Sequence, residues 1–307
     1  MDNTNKIIVG ISVGDINGIG IEIILKTFED KRMLEFCTPV LFASNRLISY
    51  HKKALGLNNN IHGINNIEKI VHGKINLLNA WKEEVKIEIG KITEIGGEFA
   101  YKSLSAATKA LKGNHIDILL TAPISKENIQ SGEFKFPGHT EYLEESLDGK
   151  SLMILMTDEL RIGLITGHIP ISEVATTITP DLIKSKVETM HNSLKNDFNI
   201  RKPKIAVLGL NPHCGDNGII GKEDDEIIRP TINEIKETGK LVFGPYAADG
   251  FFGSKTYKQF DGVLAMYHDQ GLAPFKALSF GNGVNFTAGL SKVRTSPDHG
   301  TGFDIAG

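Results

Sequence analysis

The sequence predicts an α/β fold in which mostly parallel strands alternate with helices. Short apolar runs end in Gly, Pro, Asn or His, and longer amphipathic stretches follow several of them. Continuous apolar runs of this kind are typical of strands that are buried on both faces of a parallel sheet. With 307 residues, and roughly 150 residues per domain, the chain is long enough for two such domains. We therefore expect an open α/β architecture.

Seven apolar runs are predicted strands, and four amphipathic stretches are predicted helices. The predicted strands are residues 7–11, 40–43, 116–121, 152–156, 161–166, 204–210 and 262–267. The predicted helices are residues 20–28, 97–111, 180–194 and 224–238. The last of these begins with three acidic residues at 223–225, where a helix N-terminus favours negative charge.

The composition narrows the class of protein. A net charge of -3 and a hydrophobic content of 40% are ordinary for a soluble globular protein and do not favour nucleic acid as a partner. The two cysteines, Cys37 and Cys214, are too few for a disulfide framework and suit a reducing compartment. The opening residues lack the features of a signal peptide, and no apolar run reaches the roughly 18 residues of a membrane span. We therefore expect a cytoplasmic protein that binds neither membrane nor nucleic acid.

Three predicted strands end in the same way, with a histidine just past the apolar run. They are R-I-G-L-I-T-G-H ending at His168, K-I-A-V-L-G-L-N-P-H ending at His213 and G-V-L-A-M-Y-H ending at His268. Because ligands bind at the carboxyl edge of strands in open α/β sheets, three distant segments can bring imidazoles to one place. Three imidazoles with an open coordination position are typical of a catalytic site for zinc or a similar ion. The pattern predicts one metal ion at these three histidines.

A histidine after a strand also has an ordinary structural interpretation, as a helix cap or a hydrogen-bonded loop residue. The pattern alone leaves both interpretations open. Cys214, directly after His213, is a candidate fourth ligand, although the geometry of strand ends usually turns neighbouring side chains apart. Five other histidines lie in polar surroundings and are predicted at the surface, namely His51, His62, His72, His115 and His191.

Three further segments are weaker candidates for ligand binding, and each is also compatible with an ordinary turn or loop. G-D-I-N-G-I-G at 14–20 joins a strand to a helix and can offer backbone N–H groups to an anion, but it matches neither standard nucleotide loop. T-A-P-I-S-K at 121–126 ends a strand in hydroxyls, a proline and a lysine. F-P-G-H-T at 136–140 is predicted to be a loop, in which His139 and Thr140 supply polar side chains.

The C-terminal third carries isolated polar residues among glycines and apolar residues, as expected of groups that point into a cleft. Lys276, Asn285 and Arg294 stand out there. A lysine and an arginine together suit a phosphate or a carboxylate, since lysine acts as a point charge and arginine can bind two oxygens at once. The region predicts a small anionic substrate, and the alternative is that both cations pair with surface acids.

Six segments spread along the chain resemble one known family. They are G-H-T at 138–140, T-G-H at 166–168, N-P-H at 211–213, M-Y-H-D-Q-G-L at 266–272, G-V-N at 283–285 and V-R-T-S-P-D-H-G-T-G-F-D-I-A-G at 293–307. The family is 4-hydroxythreonine-4-phosphate dehydrogenase, which acts in pyridoxal phosphate biosynthesis. The last two segments are highly specific to it.

The resemblance implies an isocitrate/isopropylmalate-dehydrogenase-like α/β/α fold with two domains and an active site in the interdomain cleft. The first domain would comprise residues 1–130 and 286–307 with the cofactor loop. The second would comprise residues 131–285 with the metal site and the dimer contacts. The resemblance also implies a homodimer with shared active sites, NAD or NADP, and one divalent ion such as zinc, cobalt or magnesium.

The resemblance assigns roles to residues, and the metal ligands it implies are the same three histidines. It implies substrate contacts from His139, Thr140, Lys276, Asn285 and Arg294. The closing D-H-G-T-G-F-D-I-A-G also resembles the dinucleotide loop of the β-decarboxylating dehydrogenases. On that likeness, the cofactor contacts would come from His299, Gly300, Thr301, Gly302 and Asp304.

The implied reaction is oxidation of 4-phosphooxy-L-threonine at C3, followed by decarboxylation to 3-amino-2-oxopropyl phosphate. Asp249 and Asp269 lie near the site segments and are candidates to orient a ligand histidine or to bind the substrate ammonium. Lys276 is a candidate base, although anion binding suits it better. The general base, the choice of NAD or NADP and the identity of the metal stay open.

Three alternatives to this reaction also stay open. One is a dehydrogenase of a related four-carbon sugar-acid phosphate, and another is a metal-dependent lyase or hydrolase such as an aldolase. The third is a protein that binds a phosphorylated metabolite without turnover.

The sequence departs from the family pattern at several positions. Ile16 and Asn17 replace the usual Pro and Ala of the first loop, which puts fine phosphate or cofactor contacts in doubt. Ala273 precedes Pro274 where a proline usually follows directly, and Gly302 stands where alanine is usual. Relatives continue past the position of Gly307 into a further helix, so the resemblance indicates a shortened or incompletely represented chain.

Overall fold

The computed structural model describes residues 6–279 and 281–307. The chain divides into two compact units, Met1–Asp148 with Ser291–Gly307, and Gly149–Leu290. The predicted domain boundaries lie between residues 130 and 131 and between residues 285 and 286. Residues 131–148 belong to the first unit because the rings of Phe134 and Tyr142 pack against Tyr101 of that unit.

The strands lie in chain order. They are β1 Ile7–Ser12, β2 Cys37–Ala43, β3 Ile61–Ile64, β4 Ile75–Asn79, β5 Ile118–Thr121, β6 Gly149–Met156, β7 Arg161–Leu164, β8 Lys204–Leu208, β9 Leu241–Tyr246, β10 Gly262–Ala265, β11 Val284–Leu290 and β12 Val293–Pro297.

The helices lie between them. They are α1 Gly20–Thr27, α2 Met33–Phe36, α3 Asn45–Ala54, α4 Glu94–Lys112, α5 His139–Ser146, α6 Ile171–Thr177, α7 Pro180–Asn196, α8 Arg229–Glu237, α9 Ala248–Gly253 and α10 His268–Ser279. A π-helical turn, Asp224–Ile228, precedes α8, and short 3₁₀ turns include Pro212–Gly215.

The strands of the first unit run in the order β3-β4-β2-β1-β5-β12, with every neighbouring pair parallel. Buried aliphatic residues of β1, β2 and α1, such as Ile11, Leu41 and Ile24, pack together with Trp81 and Phe99 in the core. Because the strands are parallel, the loops that follow β1, β5 and β12 leave the same edge of the sheet. Functional side chains are expected at that edge.

The strands of the second unit run in the order β11-β6-β7-β10-β8-β9. The pairs β7–β10, β10–β8 and β8–β9 are parallel, whereas β6 pairs antiparallel with both β11 and β7. Its core includes Ile162, Leu208, Val263 and Phe275, all at most 1% exposed. The carboxyl ends of β7, β10, β8 and β9 share one edge.

The predicted fold class and the eleven predicted elements are confirmed within a few residues, with one helix divided. The predicted helix 224–238 is a π-helical turn followed by α8, and Pro230, which has no backbone N–H, lies in the first turn of α8. The prediction of a loop at 136–140 is wrong at its end, because His139 begins α5. No helix in the described part of the chain has the length and apolar character needed to cross a bilayer.

Candidate active site

Two of the three predicted metal ligands are placed by adjacent parallel strands. Beyond the ends of β7 and β10, the backbone N–H of Thr166 donates to the carbonyl oxygen of Met266 at 3.1 Å, and the Thr166 hydroxyl donates to the same oxygen at 2.7 Å. His168 and His268 each lie two residues beyond this anchored pair. The two strand extensions therefore present their imidazoles side by side.

The rings of His168 and His268 lie 5.3 Å apart between centroids, at an interplanar angle of 47°. With Zn–N distances near 2 Å and tetrahedral angles, two imidazoles on one zinc ion would place their centroids about 5 Å apart. This pair therefore fits a shared divalent ion. Across residues 6–279 and 281–307, no three His, Cys, Asp or Glu side chains form a ready-made metal cluster. The set of three histidines stays a prediction.

Asp269 contacts a predicted ligand directly. Its carboxylate oxygen Oδ1 lies 2.7 Å from Nδ1 of His268. A ligand histidine usually donates its second ring N–H to a carboxylate or carbonyl, which fixes the ring and its tautomer. The arrangement suits the predicted role of Asp269 as a group that orients a ligand histidine, with Nε2 of His268 directed to the metal.

His213 lies in a strained loop after β8. Its backbone has φ of 53° and ψ of 25°, and Cys214 follows in the same left-handed region. Residues other than glycine rarely adopt this conformation, and they persist there only when surrounding contacts enforce it. The loop after β8 is thus built to hold His213 in one orientation.

Asp224 holds the residues just before His213 and was missed by the sequence analysis. Its carboxylate is fully buried and accepts from the backbone N–H of Leu210 at 2.9 Å and of Asn211 at 3.0 Å. The side chain of Gln270 adds a second link by donating to the carbonyl of Gly209 at 2.6 Å. The acidic run at 223–225 was interpreted only as a complement to the helix dipole, so nothing local indicated a loop anchor.

Replacing Asp224 with asparagine should destabilise this loop. One carboxylate oxygen becomes an NH2 group that faces backbone donors, at a cost of about 1–3 kcal/mol in the free energy of unfolding. Metal affinity should fall on the order of tenfold, because His213 loses its support. Urea denaturation and metal titration measure both effects, with Glu226→Gln, an exposed acid of the same turn, as control. Unchanged metal affinity in Asp224→Asn would contradict this role.

Cys214 and Asp249 lie near the His213 loop. A methyl group built at Gly209 would lie 2.8 Å from Sγ of Cys214, so the thiol packs against the protein backbone. Burial and the charge of Asp224 raise the pKa of this thiol, and Asp249 contributes in the same direction. Asp249 is exposed in the first turn of α9, just beyond β9. These contacts favour a packing role for Cys214 and place Asp249 close to the loop of His213.

Lys276 and Asn285 belong to the second unit. Lys276 is exposed in the last turn of α10. Asn285 is half-buried in β11, opposite Leu155 of β6, and its Oδ1 is buried without a hydrogen-bond partner in the described structure. An unpaired buried amide oxygen is uncommon and suits a group that accepts a hydrogen bond from a ligand.

Arg294 is the buried cation of the first unit. It lies in β12 opposite Leu119, is 3% exposed, and directs its guanidinium to the hydroxyl of Thr121 at the end of β5. Nε and Nη2 donate to that hydroxyl at 3.0 and 2.6 Å. Burial lowers the pKa of Arg294 to about 10, while Glu141 acts in the opposite direction. Burying a charged guanidinium costs free energy, and a cation buried in this way is typical of an anion site.

His139 and Thr140 form the first turn of α5 in the same unit. The Nε2 atom of His139 is buried and has no hydrogen-bond partner among the described residues. Burial holds the pKa of His139 well below its usual range, and the positive charges of Arg294 and Lys126 lower it further. His139 and Arg294, both predicted from the sequence, therefore share one electrostatic environment.

The depressed pKa of His139 predicts how stability depends on pH. Below about pH 6.5 the unfolded chain binds a proton at this residue that the folded protein does not bind, so stability falls as the pH is lowered. His139→Gln should reduce this slope between pH 7 and 5. Urea denaturation across that range is the measurement, and the exposed His115→Gln is the control. An unaltered slope in His139→Gln would contradict the assignment.

The glycine loop at 14–20 serves mainly to position other segments. Ile19 donates its backbone N–H to the carbonyl of Thr301 at 2.9 Å, and a methyl group at Gly18 would lie 2.7 Å from that same oxygen. Asn17 donates its backbone N–H to the carboxylate of Asp15 at 2.9 Å. These two N–H groups therefore donate to acceptors within the protein, which favours the turn interpretation over the anion site.

Asn17, which replaces the usual alanine of the family pattern, has a structural role. This fully buried side chain donates to the carbonyl of Lys91 and to the hydroxyl of Thr93, and it accepts from the N–H of Glu88. It therefore anchors the segment before α4.

The prediction that His51 lies at the surface is wrong, because it is 2% exposed and its Nε2 bonds to the carbonyl of Ile16 at 3.0 Å.

The motifs and the fold agree with a comparison against known families. A family model described as "Pyridoxal phosphate biosynthetic protein PdxA" matches residues 35–307. The chain belongs to the PdxA family. A 4-hydroxythreonine-4-phosphate dehydrogenase of Bacteroides thetaiotaomicron is 53% identical over 305 residues, which covers 99% of this chain and 84% of the relative. A D-threonate 4-phosphate dehydrogenase of Cupriavidus necator is 35% identical and covers 98% and 91%.

Solved structures of the PdxA family share this fold. The crystal structure of 4-hydroxythreonine-4-phosphate dehydrogenase from Klebsiella pneumoniae matches with a TM-score of 0.85 at 30% identity, over 100% of this chain and 93% of that one. The corresponding enzyme from Burkholderia phymatum matches with a TM-score of 0.83 at 33% identity, over 99% and 93%. These matches confirm the predicted family, fold class and enzyme class.

The predicted dinucleotide loop of this PdxA-family chain lies at the carboxyl edge of the first unit. Gly302 has φ of 53°, which suits glycine, and a methyl group there would lie 2.8 Å from Ile19. A methyl group at Gly300 would meet nothing within 4 Å, so a ligand can approach that backbone closely. His299 and Asp304 are exposed. The cofactor contacts of this loop stay a prediction.

Proposed function

We propose that this chain oxidises 4-phosphooxy-L-threonine at C3 with NAD or NADP and releases its carboxyl group as carbon dioxide. The product is 3-amino-2-oxopropyl phosphate, in pyridoxal 5'-phosphate biosynthesis. The observation that carries the proposal is 53% identity to an enzyme of this name across 99% of the chain. The predicted site residues suit the chemistry of this reaction.

His168, His213 and His268 are the residues that would hold a divalent ion such as zinc, cobalt or magnesium. When bound, such an ion lowers the pKa of a coordinated hydroxyl and stabilises negative charge on the substrate oxygen during oxidation and decarboxylation. Asp269 orients His268, and Asp224 fixes the loop of His213. These two carboxylates therefore act as positioning residues.

The anionic groups of the substrate need cationic and hydrogen-bonding partners. Arg294, His139 and Thr140 would bind the substrate phosphate in the first unit, since a buried guanidinium can bind two phosphate oxygens. Lys276 and Asn285 of the second unit would make the remaining substrate contacts. Half-buried Asn285 carries a buried amide oxygen, unpaired in the described structure, that can accept from a substrate N–H or O–H.

The balance of the reaction leaves two proton transfers to assign. Oxidation removes a hydride from C3 and the proton of the C3 hydroxyl, and this proton passes to a base. Loss of carbon dioxide then leaves electrons at C2, where a proton is taken up. Asp249, Asp269 and Lys276 are the candidate groups near the metal-binding loops for these transfers and for holding the substrate ammonium.

The dinucleotide would bind along His299, Gly300, Thr301, Gly302 and Asp304. When bound, its nicotinamide accepts the hydride from C3. The exposed carboxylate of Asp304 can accept hydrogen bonds from ribose hydroxyls, and the open space at Gly300 admits the ligand close to the backbone. A cytoplasmic homodimer with shared active sites completes the proposal and rests on the family resemblance.

D-threonate 4-phosphate is a second candidate substrate. Relatives with that name reach 35% identity across 98% of the chain. The two substrates differ at C2, where one bears an ammonium group and the other a hydroxyl. The higher identity to the Bacteroides thetaiotaomicron enzyme favours the amino acid.

A steady-state assay tests the proposed function. The metal-stripped protein is assayed with both phosphates while each metal and each dinucleotide is restored in turn. Reduced-cofactor absorbance with 4-phosphooxy-L-threonine is the expected result. Turnover without a dinucleotide would support a lyase or hydrolase instead, and binding without turnover would support a metabolite-binding protein.

A further inference from the structure

Lys126 closes the segment T-A-P-I-S-K and lies beside the first turn of α5. A methyl group built at Gly138, the residue before α5, would lie 4.0 Å from Cε of Lys126. The Lys126 side chain is exposed, and within the described residues it forms no ion pair. Its ammonium group is therefore available at the N-terminus of α5.

The charges around this position are unbalanced. Lys126 and Arg294 both act on the imidazole of His139, and Glu141 is the acidic group beside them. Oε2 of Glu141 would lie 3.4 Å from a methyl group at Gly138. Two cations and one carboxylate thus surround a neutral imidazole whose buried Nε2 has no partner in the described structure. The group therefore keeps a net positive charge, which favours the binding of an anion.

The backbone that carries Lys126 is held firmly. The side chain of Asn128 donates to the carboxylate of Asp15 at 2.7 Å and to the carbonyl of Thr93 at 2.8 Å. A methyl group at Gly97 would lie 1.9 Å from the carbonyl oxygen of Asn128, so glycine is needed for this close approach. The position of Lys126 is therefore built into the fold of the first unit.

We propose that Lys126 is a further phosphate-binding residue, which acts as a point charge on the phosphomonoester held by Arg294, His139 and Thr140. Arginine can bind two phosphate oxygens at once, whereas lysine supplies a point charge on a flexible side chain. The N-terminus of α5, where Gly138 provides no side-chain cap, adds backbone N–H groups that favour an anion. The inference rests on the proposed function for the substrate, but its anion chemistry can be tested separately.

Three variants test this role. Lys126→Met should raise KM for 4-phosphooxy-L-threonine about 10- to 100-fold and change kcat little, because the lost contact is made equally in the ground and transition states. Lys126→Arg should recover most of the affinity. Lys112→Met is the control, since this exposed lysine at the end of α4 precedes β5 and lies at the opposite edge of the sheet.

Inorganic phosphate provides a readout that does not need turnover. At constant ionic strength, phosphate should raise the thermal midpoint of the wild type and of Lys112→Met, and this shift should be smaller in Lys126→Met. If wild type shows no turnover but this pattern holds, the proposed function fails while the role of Lys126 stands. Unchanged KM and an unchanged phosphate shift in Lys126→Met would overturn the proposal. A loss confined to kcat, or acetate protecting as well as phosphate, would also overturn it.

Discussion

Replacing His268 with alanine is expected to lower kcat/KM of the proposed dehydrogenase on the order of 10³-fold and to abolish stoichiometric metal binding. The physical reason is the loss of one of three ligands to the ion, whose stabilisation of negative charge is worth several kcal/mol. Each 1.4 kcal/mol corresponds to about a tenfold change in rate. The close pairing of the His168 and His268 rings supports placing both on one ion.

The measurement combines metal content after dialysis with steady-state kinetics. His115→Ala is the matched control, because His115 is exposed in the first unit and precedes β5. Asp269→Asn should give an intermediate result, a loss of about 10- to 100-fold in metal affinity, since it removes only the group that orients His268. Full metal content and activity in His268→Ala would remove the basis for the metal site.

The pairing of His168 and His268 was predictable because it follows from topology. Apolar runs identify buried strands, and parallel strands deliver their next residues to one edge of a sheet. His168 and His268 needed no further information, since both strands end in matched positions. The role of His213 as a third ligand stays a prediction, and neither its left-handed backbone nor the contacts of Asp224 with the preceding residues could be predicted. That support joins residues 14 apart without any periodic pattern.

Other parts of the site depend on contacts that leave no local signal. Arg294 was predicted to be a polar group that points toward a ligand, but its hydrogen bond to Thr121, 173 residues away, could not be predicted. The joint action of Lys276 and Arg294 on an anion stays a prediction, and the effect of Lys126 on His139 alongside Arg294 was not predicted. The segment 121–126, which contains Lys126, was predicted only as a weak candidate for ligand binding at the end of a strand. Sequence patterns identify elements better than they identify partners that meet through folding.

The missed elements have physical reasons as well. The strand β3 contains His62 and Gly63, and β4 ends in an asparagine, so neither shows a long apolar run. The helix α5 begins after a proline and a glycine, two residues that normally indicate a loop. The helix α10 contains Pro274, which lacks a backbone donor. Packing in the finished fold overrides local preference at these places.

Replacing Arg294 with methionine is expected to separate stability from substrate binding. Burial of the guanidinium lowers its pKa from the usual value of an arginine to about 10, which corresponds to roughly 3 kcal/mol of unfavourable interaction with the charged form. Methionine has a similar length and no charge, so it should fill the same 3% exposed position. We expect the free energy of unfolding to rise by about 1–2 kcal/mol, after allowance for the lost contacts to Thr121.

Substrate binding should change in the opposite direction. Arg294→Met removes the two-pronged phosphate contact, so KM should rise about 100-fold or more and the phosphate-dependent thermal shift should disappear. Urea denaturation, steady-state kinetics and thermal shifts with inorganic phosphate measure these effects. Arg46→Met is the control, because Arg46 forms an exposed ion pair with Glu84 and should alter neither property. A destabilised Arg294→Met with normal KM would instead make Arg294 a structural residue. The expected result would show that the protein holds this buried cation for the substrate rather than for its fold.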